Sequence, residues 1–368
     1  MRSTKAIIDL SALRHNLKTI KSIASDSKVM AVVKANAYGH GLVEIASALE
    51  DAEMFAVATL KEALTIRKAG IETPILLLEG FFDASELDAI VEHDLQMVLH
   101  HWPQIEDLKK FSKNFSTDKK IACWVKLDSG MHRLGFAPED LAKVEQQLEQ
   151  IQCVDKPIKV MSHFASSDEP ECDFSDIQIV RFEQSTEHLI AEKSMANSAG
   201  ILMHKNAHFD WVRPGLLLYG CSPLSDSCGA DYGLHPVMSL ESQILTIKAI
   251  KAGESTGYGR HWFAEQDTIL GLVAIGYGDG YPRHAKNGTP VWVNGRLVPL
   301  VGRVSMDMLA VDLGADAQEQ VGDRVVLWGK ELPAEKVAPF MDTIPYTLCC
   351  GVTRRVEFEY IDSTQDQT

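Results

Sequence analysis

The sequence predicts an α/β chain in two parts, a (β/α)8 barrel over residues 1–235 and a mostly β domain over 236–368. Three observations carry that expectation. From residue 28 short apolar runs alternate with helical patterns; eight such runs can be counted; and near residue 235 the alternation gives way to β-like segments joined by turns.

The runs, in order, are "KVMAVV" (28–33), "MFAVA" (54–58), "PILLLE" (74–79), "QMVLH" (96–100), "IACWVKL" (121–127), "IKVMSHFA" (158–165), "SMANSAG" (194–200) and "FDWVRPG" (209–215). Continuous apolar strands of this kind are buried on both faces, as in a parallel sheet covered by helices. Between the first two, Leu42, Ile45, Ala46 and Leu49 share one helical face, and a second helix runs from Leu60 to Ala69 with Gly70 as its stop. Eight strand–helix units close naturally into a TIM-type barrel, although the last two runs have weak β propensity. Beyond "LHPVMSL" (234–240), the segments "SQILTIKAI", "TILGLVAIGYG", "PVWVNGRLVPLVGRVSMDMLAVDL", "DRVVLWG" and "RRVEFEYI" read as strands, with a hairpin turn at Asn294 and Gly295.

Composition narrows the function. A net charge of −15 and the lack of a basic block speak against nucleic acid as a partner. No run reaches signal-peptide or transmembrane length, so a cytoplasmic protein without membrane contact is expected. The seven cysteines (Cys123, Cys153, Cys172, Cys221, Cys228, Cys349, Cys350) contain no CxxC pair, which predicts reduced thiols and no metal site.

A barrel of this type works at the C-terminal ends of its strands. Lys34 ends the first strand, Lys126 and Asp128 the fifth and His163 the sixth; Asn197 and Ser198 lie at the seventh and Arg213 at the eighth. Any one of these is more often a surface or satisfied core residue, but their meeting on one rim points to a site. A lysine amine there can form a Schiff base, which leaves two classes open: a carbonyl aldolase, or an enzyme of pyridoxal 5′-phosphate (PLP). The turns "NSAG" (197–200) and "RPGLLLYG" (213–220) offer Ser198, Gly215 and backbone amides to a phosphate. An arginine such as Arg213 facing the ring nitrogen would keep that nitrogen unprotonated, since guanidinium does not give up its proton.

The motifs "VVKANAYGHG", "KLDSGMHRLGF", "SHFASSDE", "ANSAGI", "VRPGLLLYG", "PVMSLESQI", "GESTGYG", "AIGYGDGYPR" and "GRVSMDM" follow one another between residues 32 and about 308. In this order they resemble the motifs of bacterial alanine racemase. The resemblance implies two-base racemisation of L- and D-alanine with PLP, for cell-wall synthesis or alanine catabolism. Lys34 would hold the cofactor and serve as one base, and Tyr258, from the partner subunit of a homodimer, as the other. Two bases suit the chemistry, because one base alone returns a proton to the face it left. Tyr38, His163, Asn197, Ser198, Arg213, Gly215, Leu216 and Arg354 would contact the cofactor. Arg133, Tyr277, Met306 and Asp307 would meet the substrate, and Lys126 matches a lysine that is carbamylated in many relatives. Two positions depart from the pattern. Ser194 stands where some relatives carry a histidine, and Arg354 where many carry a phosphate-contacting tyrosine, which opens the alternative of a different or broader amino-acid range. Rival classes are a lyase of the same two-domain architecture, expected to differ in its second domain, and a non-catalytic PLP-binding barrel, which would lack that domain.

Overall fold

The computed structural model describes residues 4–362; residues 1–3 and 363–368, the outer ends of the two expected domains, lie outside them. Its strands are β1 (Lys5–Asp9), β2 (Lys28–Val32), β3 (Met54–Val57), β4 (Ile75–Leu77), β5 (Leu95–Leu99), β6 (Cys123–Lys126), β7 (Lys159–Met161), β8 (Lys193–Ser194), β9 (Trp211–Val212), β10 (Met238–Ile250), β11 (Thr268–Val273), β12 (Pro290–Val293), β13 (Arg296–Val301), β14 (Leu309–Asp312), β15 (Arg324–Trp328) and β16 (Glu357–Ile361).

β2 to β9 form a closed barrel in which each strand pairs in parallel with the next and β9 returns to β2. Seven of the eight expected runs hold a strand, the last (209–215) only at Trp211–Val212; the remaining run, 194–200, meets β8 only at Ser194 and is helical from Ser198, because Asn197 caps a helix there. Met30, Val32, Met54, Ala56, Leu76, Val98, Trp124, Met161 and Trp211 fill the interior, so the barrel is a packed core and leaves chemistry to its ends. At the N-terminal end, Lys28 and Lys159 both reach Glu192, at 2.8 and 2.9 Å. That end is closed by ion pairs, and the opposite rim carries the turn residues.

The helices follow the apolar patterning. Leu42, Ile45 and Ala46 are the buried face of Leu42–Ala48. Leu60–Lys68 begins with a capping box, in which Thr59 accepts from the Glu62 N–H and the Glu62 carboxylate accepts from the Thr59 N–H.

The second unit is a sheet in the order β11-β14-β13-β12-β15-β10-β1-β16, with β10 also pairing β11. Strand β10 serves both β15 and β11 because it is long and its register slips at Leu240/Glu241 and Ile244/Thr246. Asn294 and Gly295, at φ 45° and 95°, make the two-residue turn between Val293 and its partner Arg296.

The two compact units of the chain are not divided at residue 235 alone. The segment up to Asn16 groups with the sheet unit, as do Tyr219–Ser222 and everything from Asp226 on, whereas Leu17–Leu218 and Pro223–Ser225 form the barrel unit. The cause is β1, which pairs antiparallel with β10 (Lys5↔Glu241) and parallel with β16 (Lys5↔Glu357). Ala6 and Ile8 face inward from it. β1 thus completes the sheet unit, although it lies within residues 1–235.

Candidate active site

Lys34 lies two residues beyond the end of β2, at the start of an unusual turn. Ala35, Asn36, Ala37 and Tyr38 have φ of 55°, 56°, 52° and 53°, four successive non-glycine residues in the left-handed region. Such a run costs roughly 1–2 kcal/mol per residue, and it survives only where surrounding contacts dictate it. Those contacts are present. The Ala35 N–H donates to Glu62 Oε1 at 2.7 Å and the Leu42 N–H to Asn36 Oδ1 at 3.0 Å. Buried His40 donates from Nδ1 to the carbonyls of Ala37 and Tyr38, both at 3.0 Å. Burial pushes its imidazole down to about 4, so the ring stays neutral in this role.

Tyr38 leads from this turn to the end of the adjoining strand, β9, which pairs with β2. A Cβ placed on Gly215 would stand 2.4 Å from the Tyr38 hydroxyl, so only glycine leaves room there. Ser198 Oγ accepts from the N–H groups of Gly215 and Leu217 at 3.0 and 3.4 Å. Two hydroxyls and the backbone at 215–217 thus share one small space, and Leu216 opens a 3-10 turn beside them. Asn197 Oδ1 caps the following helix through the Gly200 N–H and also accepts from Ser167 Oγ, each at 2.9 Å.

Arg213, directly after β9, is buried and held on all sides. It donates to Ser194 Oγ and the Ser162 carbonyl at 2.6 Å, to the Met195 carbonyl at 3.1 Å and to His163 Nδ1 at 3.2 Å. Burial lowers the guanidinium to about 10, which still leaves it charged at neutral pH. Because guanidinium only donates, His163 Nδ1 is an acceptor and its proton sits on Nε2. Burial, with Arg213, Lys126, Arg133 and Lys34 nearby, holds His163 well below its ordinary range and so neutral. Ser194 Oγ accepts from the Arg213 N–H and donates its own O–H to the Trp211 carbonyl at 2.7 Å, so both sides of its hydroxyl are used.

Lys126, the last residue of β6, is pushed down to about 8 by burial and by the charges of Arg213, Arg133 and Lys34, with Glu79 alone opposing. Its segment folds back on itself through Phe136 N–H to Lys126 O at 2.8 Å and Asp128 N–H to Phe136 O at 2.9 Å. Asp128 accepts from the N–H groups of Gly130 and His132, both at 3.0 Å, and so shapes the loop that presents exposed Arg133. The rim therefore gathers the cationic Lys34, Lys126, Arg133 and Arg213 around the neutral His163.

Several supporting residues were not read from the sequence. Glu79, and the buried chain Ser129–Ser162–Gln178 under His163, are among them: Gln178 Nε2 donates to Ser129 Oγ and the His163 carbonyl, both at 3.1 Å. Glu62 is a third. Its T-x-x-E spacing signals a helix cap, but nothing in that spacing signals the bond to Ala35.

The remaining expected residues belong to the sheet unit. Tyr258 is 67 % exposed, between Gly257 and Gly259 at φ 78° and 76°. The Tyr277 and Gly278 N–H groups donate to the Ser305 and Met306 carbonyls at 3.0 and 2.9 Å, which joins "GYGDG" to "VSMDM" and brings Tyr277, Met306 and Asp307 together. Arg354 is exposed, and it is Arg355 that pairs with Asp307, at 2.6 Å.

The donor set fits an anionic phosphate-bearing aldehyde. It combines an amine, two hydroxyls, a cradle that a Cβ would fill and a surplus of cations. Among the described residues no group of His, Cys, Asp or Glu could hold a metal ion, and no helix is long and apolar enough to cross a membrane.

Comparison with known proteins adds the following. The family models for the alanine racemase N-terminal and C-terminal domains match residues 8–223 and 237–360. An alanine racemase of Shewanella sp. (strain MR-7) is 51 % identical over 352 residues, covering 96 % of this chain and 97 % of the relative. The biosynthetic alanine racemase of Pseudomonas aeruginosa superposes with a TM-score of 0.94 at 44 % identity, over 98 % of this chain and all (100 %) of that one. The alanine racemase of Bartonella henselae, solved with covalently bound pyridoxal phosphate, gives 0.88 at 32 % identity over 98 % of this chain and 100 % of that one.

Proposed function

This chain belongs to the alanine racemase family, and from that premise we propose that Lys34 and Tyr258 are the two bases of a PLP-dependent site completed across a homodimer. The reaction is the interconversion of L- and D-alanine. The observation that carries the residue assignment is the convergence of Lys34, Lys126, Arg133, His163 and Arg213 at one barrel rim, with the Tyr38–Gly215–Ser198 cradle beside them.

Lys34 would hold the cofactor aldehyde, Tyr38, Ser198 and the amides near Gly215 and Leu216 its phosphate, and Arg213 its ring nitrogen. Once bound, the cofactor spreads the charge left on the substrate α-carbon when its proton departs. The rest is done by the chain. Lys34 Nζ takes or returns the proton on one face, and Tyr258 Oη does so on the other, which is what inversion requires. Arg133 and the partner's share of Tyr277, Met306 and Asp307 orient the substrate carboxylate. Lys126, with an amine lowered to about 8, has the neutral fraction needed to take up carbon dioxide, and a carbamate there would offset the surrounding cations. Arg213, fixed by four bonds, keeps its charge and its direction through the cycle.

The exposure of Tyr258, with Phe263, Tyr277, Met306 and Met308 also exposed in the same unit, supports a second subunit as its cover, since proton transfer needs a shielded group. A cytoplasmic location fits the reading. The test is direct: the purified protein should show a cofactor absorption band that borohydride bleaches, with the label on Lys34, and should convert L-alanine to D-alanine in a chiral assay. Absence of the band, or a label elsewhere, would refute the assignment.

A further inference from the structure

We propose that Glu62, which no motif assigns to the site, is the positioning residue for Lys34; the proposal rests on reading Lys34 as the cofactor lysine. Glu62 is the third residue of the helix Leu60–Lys68. A capping box needs only one carboxylate oxygen, and Oε2 serves it, accepting from the Ala58 N–H at 3.0 Å, the Thr59 N–H at 3.2 Å and the Thr59 hydroxyl at 3.3 Å. The other oxygen leaves the helix. Oε1 accepts from the Ala35 N–H at 2.7 Å, the shortest of these four bonds.

That bond has a specific mechanical consequence. Ala35 directly follows Lys34 and is the first of the four left-handed residues. The peptide plane between Lys34 and Ala35 carries the bonded N–H, so fixing it fixes ψ of Lys34 and the direction in which its side chain leaves the backbone. The neighbouring ladder ends at the Val33 N–H, which donates to the Ala56 carbonyl at 2.9 Å. Beyond that bond, the carboxylate ties the loop after β2 to the loop after β3. Since the left-handed run is intrinsically unfavourable, removal of an anchor should release it toward ordinary backbone. The charge matters too, because a carboxylate acceptor makes a stronger bond than a neutral one.

The test compares Glu62→Ala, Glu62→Gln and Thr59→Ala, each purified with PLP and studied both loaded and after cofactor removal. Amide exchange of the peptide covering residues 34–41 and the dissociation constant for PLP are the readouts. Glu62→Ala should speed exchange in that peptide and weaken PLP about tenfold or more, as expected for loss of a charge-assisted bond. Glu62→Gln, whose amide oxygen can still accept from Ala35, should recover much of the protection. Thr59→Ala loses the cap yet keeps the Ala35 bond, so it should lower the thermal midpoint while leaving exchange at 34–41 and PLP affinity at wild-type values. If Thr59→Ala weakens PLP as much as Glu62→Ala does, Glu62 is only a helix cap and the proposal fails. It also fails if neither Glu62 variant alters exchange or affinity. Peptide mapping of borohydride-treated wild-type protein separates the two levels: a label off Lys34 overturns the site reading, whereas a label on Lys34 with unmoved Glu62 variants overturns only the role of Glu62.

Discussion

Replacing Gly215 with alanine tests whether Tyr38 and the 215–217 backbone form a phosphate cradle. The new Cβ would lie 2.4 Å from the Tyr38 hydroxyl oxygen and 2.9 Å from its Cζ. Comfortable contact begins near 3.5 Å, so the hydroxyl must retreat by roughly 1 Å. Gly215 is absent from the positive-φ residues, so its own backbone accepts alanine and the clash is the whole perturbation. Tyr38 cannot retreat freely, because it sits in the left-handed run whose carbonyls His40 holds. A hydrogen bond to a charged phosphate is worth about 1.5–3 kcal/mol, which converts to a rise of roughly 10- to 150-fold in the dissociation constant. Fluorescence titration of cofactor-free protein with PLP measures it. Tyr38→Phe should fall in the same range, and the double variant should lose less than the sum, since both changes remove one interaction. Wild-type affinity in both single variants would refute the cradle.

Three further outcomes are expected. Tyr258→Phe should retain PLP while losing about 10²–10⁴-fold in racemisation rate, the usual share of a positioned acid–base group; undiminished rates in both directions would contradict its role. Ser194→Ala should leave an Arg213 N–H unsatisfied in a buried site and cost about 1–3 kcal/mol of stability in urea, and an unchanged midpoint would show that another acceptor takes over. His40 concerns pH. Its folded value of about 4 lies below the ordinary 6.5, so the unfolded chain binds a proton that the folded chain refuses between those values. Stability attributable to His40 is thus intact above pH 6.5 and declines as pH falls toward 4, by roughly 3 kcal/mol in total. His40→Gln should flatten that part of the urea-midpoint profile between pH 7 and 5; an identical slope would exclude His40 as the source.

Much of the fold was legible in the sequence because a barrel strand is written locally. A run such as "KVMAVV" is apolar on both faces, and the rule that chemistry sits at C-terminal strand ends then led to Lys34, Lys126, His163 and Arg213. The first strand was not legible. "KAIID" is five residues long, and its partners lie more than 230 and 350 positions away, at Glu241 and Glu357. Nothing in its own pattern says which unit it completes.

The site divides along the same line. The sequence by itself determined which chemical groups reach the rim, since side-chain type and strand position are local properties. Tertiary structure alone decided how they are held. Alanine and tyrosine do not choose a left-handed backbone, and Ala35 to Tyr38 adopt it because Glu62 and His40 hold their peptide groups and the Leu42 N–H holds the Asn36 side chain. In the same way, Ser194 joins the Arg213 network because a guanidinium nitrogen and the Trp211 carbonyl lie 2.6 and 2.7 Å from its hydroxyl. A hydrogen bond depends on where two groups meet in space, and that meeting is set by the closed barrel as a whole.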